Sequence, residues 1–211
     1  MQQVMSYQQA CAQWYDSHYD PIAREEAVRV MNAYEDAKEA RLSAPDALAK
    51  AAHWYAGIGI PVFPCVPGEK RPACRHGFKD ATTNLQQIAA WWGDIPQANI
   101  GIPTGILFDA IDIDSFESAD ELWGYIRRRD IPRPGLTVWT PRGRHYLIPP
   151  RGHGNTTQLL PGIDYRGKGG YVVAPPSKLH PKPGRPRDNY RWGGWEWPTP
   201  QDFQNLKNNN C

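Results

Sequence analysis

Apolar and polar positions follow two different rhythms along this chain. Over residues 21–41 apolar side chains recur at helical spacing. Val28, Met31 and Tyr34 form a stripe, with acidic residues early and basic residues late, and this predicts one amphipathic helix. Ser43 or Asp46 then caps a second helix, ALAKAAHWYAG, which Gly57 and Gly59 bring to an end. Past residue 60 the rhythm shortens. The segments PVFPCV (61–66), ILFDAIDID (106–114), LTVWT (136–140), HYLI (145–148) and YVVA (171–174) read as strands between Gly/Pro-rich loops. Two helical patches, 85–93 and 118–129, lie among them. The mixture predicts an α+β domain with a largely antiparallel sheet. Residues 1–45 are expected to be a helical N-terminal appendage, 46–200 the main domain, and 201–211 a frayed polar tail. No internal repeat is present.

Composition narrows the picture a little. The 211 residues suit one domain of ordinary size with a small appendage. The formal net charge is only +2, so any nucleic-acid affinity has to come from a local basic patch. No apolar run reaches the length of a membrane span, and the N-terminus lacks the basic and apolar regions of a secretory signal. The four cysteines suggest no disulfide framework, and a cytoplasmic location is expected. Cys65, Cys74 and His76 match no standard structural zinc spacing, and a fourth ligand is not evident.

Ile111-Asp112-Ile113-Asp114 is the most informative stretch. In a strand, side chains two apart share a face, so Asp112 and Asp114 project together while Ile111 and Ile113 face a core. Paired carboxylates repel unless they are solvated or share a divalent cation, and an all-oxygen set suits magnesium or manganese better than zinc. Asp109 is offset by an odd number and is expected to turn away. Such a pair is often only a solvated strand end. The surrounding sequence weighs against that. TPRGRHYLI places a glycine turn before His145, and PGIDYRGKGGYVVAPPS sets Asp164 beside Arg166, Lys168 and a double glycine. A third carboxylate flanked by cations and flexible backbone suits a site for metal and triphosphate together.

These motifs carry a family resemblance. DATTN, WW, ANIGIPTG, IDID, TPRGRH, PGIDYRGKGGYVVAPPS and the final YRW, in this order, resemble the bifunctional DNA primase/polymerase (Prim-Pol) domain of the archaeo-eukaryotic primase superfamily, over about residues 48 to 198. The resemblance implies an RRM-like antiparallel sheet paired with a second α/β unit, and an active site between them. It implies that Asp112, Asp114 and Asp164 bind magnesium or manganese, and that His145 contacts the phosphates of the incoming nucleotide. Arg166 and Lys168 then position the phosphates. Arg144, in a turn where the family often has two small residues, stands beside the histidine. Lys70, Ser177 and His180 are lesser candidates for nucleotide or template contact. The implied activity is synthesis and extension of primers on single-stranded DNA from nucleoside triphosphates, in plasmid- or phage-type replication, with a separate helicase as a plausible partner.

Two other readings use the same residues: a metal-dependent nuclease, and a non-catalytic domain that binds single-stranded DNA or an origin. The triphosphate loop and the order of motifs favour polymerisation. Among the nine tryptophans, Trp192, Trp195 and Trp197 suit base stacking, although core packing is the commoner role.

Overall fold

A computed structural model describes residues 9, 44–114, 135–184, 188–193 and 197–208. The helices expected at 21–41 and 118–129, and most of the appendage expected at 1–45, lie outside these residues. The chain divides into two compact units, Met1–Ala47 and Leu48–Cys211. All the strands described belong to the second.

Helix α1 (Ala47–Gly57) buries Ala51, Ala52, Tyr55 and Ala56, one stripe at helical spacing. The Tyr55 hydroxyl keeps a partner in the core by donating to the Pro175 carbonyl at 2.9 Å. Helix α2 (Leu85–Asp94) starts at Asn84, whose side chain accepts from the N–H groups of Gln86 and Gln87. It buries Ile88 and Trp92.

Two antiparallel sheets carry the rest. The smaller has the order β1 (Phe63–Cys65), β2 (Asn99–Pro103), β8 (Tyr171–Ala174). The larger has six strands in the order β6 (Thr156–Leu160), β7 (Ile163–Arg166), β3 (Asp109–Ile113), β5 (Arg144–Ile148), β4 (Leu136–Trp139), β9 (Arg191–Trp192). Mixed helices and antiparallel sheet make this an α+β domain, as expected. One face of the larger sheet, through Ala110, Val138 and Leu147, joins the main core with α1, α2 and the smaller sheet. The other face holds a separate cluster of Ile111, Ile113, Tyr146, Ile148, Ile163 and Tyr165.

The tail corrects an expectation. Instead of fraying, residues Pro200–Asn208 form helix α3, with Phe203 and Leu206 buried in the main core. Thr199 and Asp202 explain why it starts there. Asp202 Oδ2 accepts from the Thr199 N–H at 2.7 Å, and Thr199 Oγ1 accepts from the Asp202 N–H at 3.3 Å, a reciprocal cap. Phe203 packs edge-on against Trp54 and Trp192, and Trp54 packs likewise on Trp197. Trp192 and Trp197 therefore serve the core, while Trp195 lies outside the described residues. Losing a buried aromatic of this kind costs about 3 kcal/mol or more.

Candidate active site

Sheet register assembles the site. His145 on β5 and Asp164 on β7 stand directly opposite Asp112, one on each side, in an unbroken row across three strands. The row continues through Val138 to Trp192. Alternation puts all of these side chains on one face. Gly143 makes the hairpin before His145 possible. A side chain there would collide with the Ile113 carbonyl, and the turn is closed by the Gly143 N–H donating to Thr140 Oγ1 at 3.0 Å.

The row is electrostatically balanced. His145 Nε2 lies 3.3 Å from Asp112 Oδ1. The Arg166 guanidinium reaches both carboxylates, 2.7 Å from Asp164 and 3.7 Å from Asp112. The Gln158 N–H also donates to Asp164, at 2.7 Å. Burial by itself would raise the Asp112 carboxyl, but His145, Lys70 and Arg166 outweigh burial and hold it down to about 2. Asp112 is thus an anion across the working pH range. His145 is buried, and its Nδ1 has no hydrogen-bond partner among the described residues. A buried polar atom of this kind is costly unless a ligand satisfies it.

Asp112, His145 and Arg166 line an open cavity of about 240 Å³ together with Lys70, Asn155 and Tyr171. Beside it is a larger cleft of about 560 Å³, lined by Lys70, Asp114, Arg142, His180 and Lys182 among others. Lys70 lines both. Its hairpin is fixed from the core by Asn99, whose buried amide donates to the Glu69 carbonyl at 2.9 Å and the Lys178 carbonyl at 2.6 Å. Asn99 lies within ANIGIPTG, yet nothing in the local pattern marks it as the brace of a distant loop.

Several expected site residues take other places. Asp114 stands one position beyond the end of β3 and opens into the larger cleft, apart from Asp112 and Asp164. Among the described residues no group of three or more His, Cys, Asp or Glu side chains is arranged to hold a metal. Arg144, as an immediate neighbour of His145 on β5, faces the other side of the sheet. Its guanidinium lies 4.8 Å over the Trp139 ring and donates to the Tyr146 hydroxyl at 2.9 Å. Ser177 is fully buried, and its Oγ accepts from the Ile100 N–H at 2.9 Å, a bracing role between segments. Lys168 is exposed and does not line the cavity, although Gly169 and Gly170 do. His180 lines the larger cleft, its ring covering Gly68. His76 pairs with Asp80 at 2.8 Å, Cys74 Sγ donates to the Gly77 carbonyl at 3.2 Å, and Cys65 is buried in β1. Asp109 turns away from Asp112, as its odd offset predicts.

Asp112 and Asp164 have the donor chemistry of a divalent-cation site. Both offer only oxygen, as magnesium and manganese prefer, and magnesium is commonly held by one or two carboxylates plus substrate phosphates. Arg166 and Lys70 already balance the two carboxylates. A multiply negative triphosphate entering the cavity therefore needs further positive charge. The residues fit a two-carboxylate divalent site.

The larger antiparallel sheet of this α+β domain thus presents Asp112, His145 and Arg166 to an open cavity. Over residues 52–201 the sequence matches the family of the bifunctional DNA primase/polymerase, N-terminal (Prim-Pol), and the chain belongs to that family. Membership makes it a nucleotidyltransferase of the DNA primase/polymerase type. No curated protein matches the chain. Among the described residues no helix is long and apolar enough to cross a membrane.

Proposed function

We propose that this chain synthesises and extends primers on a single-stranded DNA template, in plasmid- or phage-type replication. The observation that carries the reading is the row His145–Asp112–Asp164 with Arg166 bridging the carboxylates, of which His145, Asp112 and Arg166 line an open cavity. Asp112 and Asp164 would hold magnesium or manganese, and Asp114 faces the neighbouring cleft. Bound there, the cation supplies Lewis acidity toward the phosphates and a lowered pKa for a primer 3′-hydroxyl. Arg166 and Lys70 bind and orient the phosphates by charge, and His145, which also lines the cavity, offers the triphosphate one more polar contact. The 3′-hydroxyl attacks the α-phosphate and pyrophosphate leaves.

Starting a strand requires two nucleotides at once. The larger cleft beside the cavity, with Arg142, His180 and Lys182 on its walls and Lys70 shared, suits the second of them. We read the two sheets as the primase-type pairing of an RRM-like sheet with a second unit. A separate replicative helicase is the expected partner.

The test is an unprimed single-stranded template with magnesium or manganese and labelled nucleotides. Short labelled products should form and should disappear with Asp112→Ala. Product only in the presence of a primer would mean a polymerase that does not prime. Degradation of labelled DNA without nucleotides would identify a nuclease instead.

A further inference from the structure

The loop at 167–170 joins Arg166, at the end of the larger sheet, to Tyr171, at the start of the smaller one. It is held from two sides. Thr104, just after β2, is 2% exposed, and its hydroxyl donates to the Gly167 carbonyl at 2.6 Å. The Thr104 N–H donates to the Gly170 carbonyl at 3.0 Å. Gly105 next to it has φ +82, and a side chain there would collide with the Lys168 backbone. From the other side, Asn155 Oδ1 accepts from the Gly167 N–H at 3.0 Å, and the His153 carbonyl accepts from the Lys168 N–H at 2.7 Å. Within the loop, the Gly170 N–H donates to the Gly167 carbonyl at 3.1 Å. None of these bonds uses the Gly169 N–H. Gly169 and Gly170 line the cavity that Arg166 and His145 also line, while Lys168 does not.

We propose that Thr104 is a positioning residue of the nucleotide site. Its hydroxyl anchors the loop at 167–170 so that the Gly169 N–H, beside Arg166, is in place to receive a phosphate of the bound nucleoside triphosphate. The inference rests on the reading of this cavity as a nucleotide site. The physical argument is preorganisation. A glycine-rich loop has many conformations, and backbone donors bind an anion well only when they are already in place. The clamp removes that freedom before the ligand arrives, at the residue following the guanidinium that spans both carboxylates. A hydroxyl held this deep contributes through the loop alone, since Thr104 does not itself line the cavity.

The experiment titrates the full chain with a fluorescent nucleoside triphosphate in magnesium, and measures KM and kcat for incorporation on a primed template. Thr104→Val keeps the shape and removes only the hydroxyl. It should raise Kd and KM about ten-fold with a smaller change in kcat, and Thr104→Ser should restore affinity to within about three-fold of wild type. Thr104→Ala, which removes the same hydroxyl with less bulk, should weaken binding to a similar extent and carries the test if Thr104→Val does not fold; Asn155→Ala, on the same loop but itself lining the cavity, should raise Kd about five-fold. Wild-type affinity in Thr104→Val, or in Thr104→Ala in its place, overturns this inference alone. So does a Thr104→Ser protein that binds as weakly as Thr104→Val with an equal fall in Tm, because that pattern belongs to a purely structural threonine. A wild-type chain that binds no triphosphate overturns the functional reading, and this inference with it.

Discussion

Strand β3 carries one carboxylate on each face of the larger sheet, and the two have opposite fates. Asp112 lies among cations and stays charged, its carboxyl held down to about 2 against the effect of burial. Asp109, three positions earlier, is fully buried on the other side. It accepts hydrogen bonds from the Tyr165 hydroxyl and, at 2.6 Å, from the Arg151 N–H. Burial nevertheless raises its carboxyl above the ordinary range, and its Oδ1 has no hydrogen-bond partner among the described residues. Both acids lean on a ring from a neighbouring strand, His145 for one and Tyr165 for the other. The difference lies in what surrounds the pair. Around Asp109 the two hydrogen bonds and a nearby His153 do not outweigh desolvation, whereas around Asp112 His145, Lys70 and Arg166 together do. On the proposed function, the cationic face is the one that meets the nucleotide, while the Asp109 face packs against its own apolar cluster.

The largest expected effect that tests this contrast is on Asp112. Asp112→Ala should reduce incorporation at least ~1000-fold with an unchanged circular dichroism spectrum. Activity near wild type would remove Asp112 from the mechanism. The carboxylate also bears on stability. Its folded pKa is depressed, so its contribution is complete above the unfolded value of about 4 and is lost as pH falls through about 2. The stability gap between wild type and Asp112→Asn in urea should shrink across that window.

Next in size is Arg166. Arg166→Ala frees two adjacent carboxylates to repel and should raise the KM for nucleotide about thirty-fold or more. Lys168→Ala should change it much less, because that side chain lies outside the cavity. Equal effects would mean that the loop side chain reaches the phosphates after all.

Asp109→Asn should leave incorporation within about three-fold of wild type. Its signature is a pH slope. With a raised folded pKa, the native chain holds the proton more tightly than the unfolded chain, so stability falls as pH rises from the ordinary carboxylate value through the raised one. Urea unfolding at several pH values should show that slope in wild type and a flatter one in Asp109→Asn. A steeper slope in the variant would reverse the assignment of the two faces.

The smallest effect is expected at Arg144. Arg144→Ala loses its place over Trp139 and its bond to Tyr146, for about 1 kcal/mol of stability, and little nucleotide affinity. A large rise in KM would put this guanidinium back beside the phosphates.

Much of this contrast is legible in the amino-acid sequence. The period-two pattern of IDID places Asp112 opposite in sense to Asp109 and both isoleucines. The same period puts Arg144 on the face away from His145, since neighbours in a strand always diverge. The alternation in Ile163-Asp164-Tyr165-Arg166 marks a strand where glycines on either side suggest a loop. The helix at the end is legible too, because Thr199-Pro200-Gln201-Asp202 is a helix start with a cap, proline in the first turn and an acid three residues on. The polar letters that follow it hide Phe203 and Leu206, the only two large apolar side chains it has to bury.

Alone, then, the sequence determined the class of the domain, most of its described elements, the alternation of side chains within a strand, and the family. Those properties are local, set by backbone geometry and by motifs in order. Only the tertiary structure decided who stands beside whom. Cross-strand register set Asp112 between His145 and Asp164, and the strand's end at Ile113 parted Asp114 from them. Asn99 carried Lys70 to the cavity from a hairpin 42 positions before Asp112 in the chain, and Thr104 secured a loop more than sixty positions ahead of it. Such pairings depend on which segments share a core, and the energy that selects them belongs to the packed whole rather than to any stretch of residues.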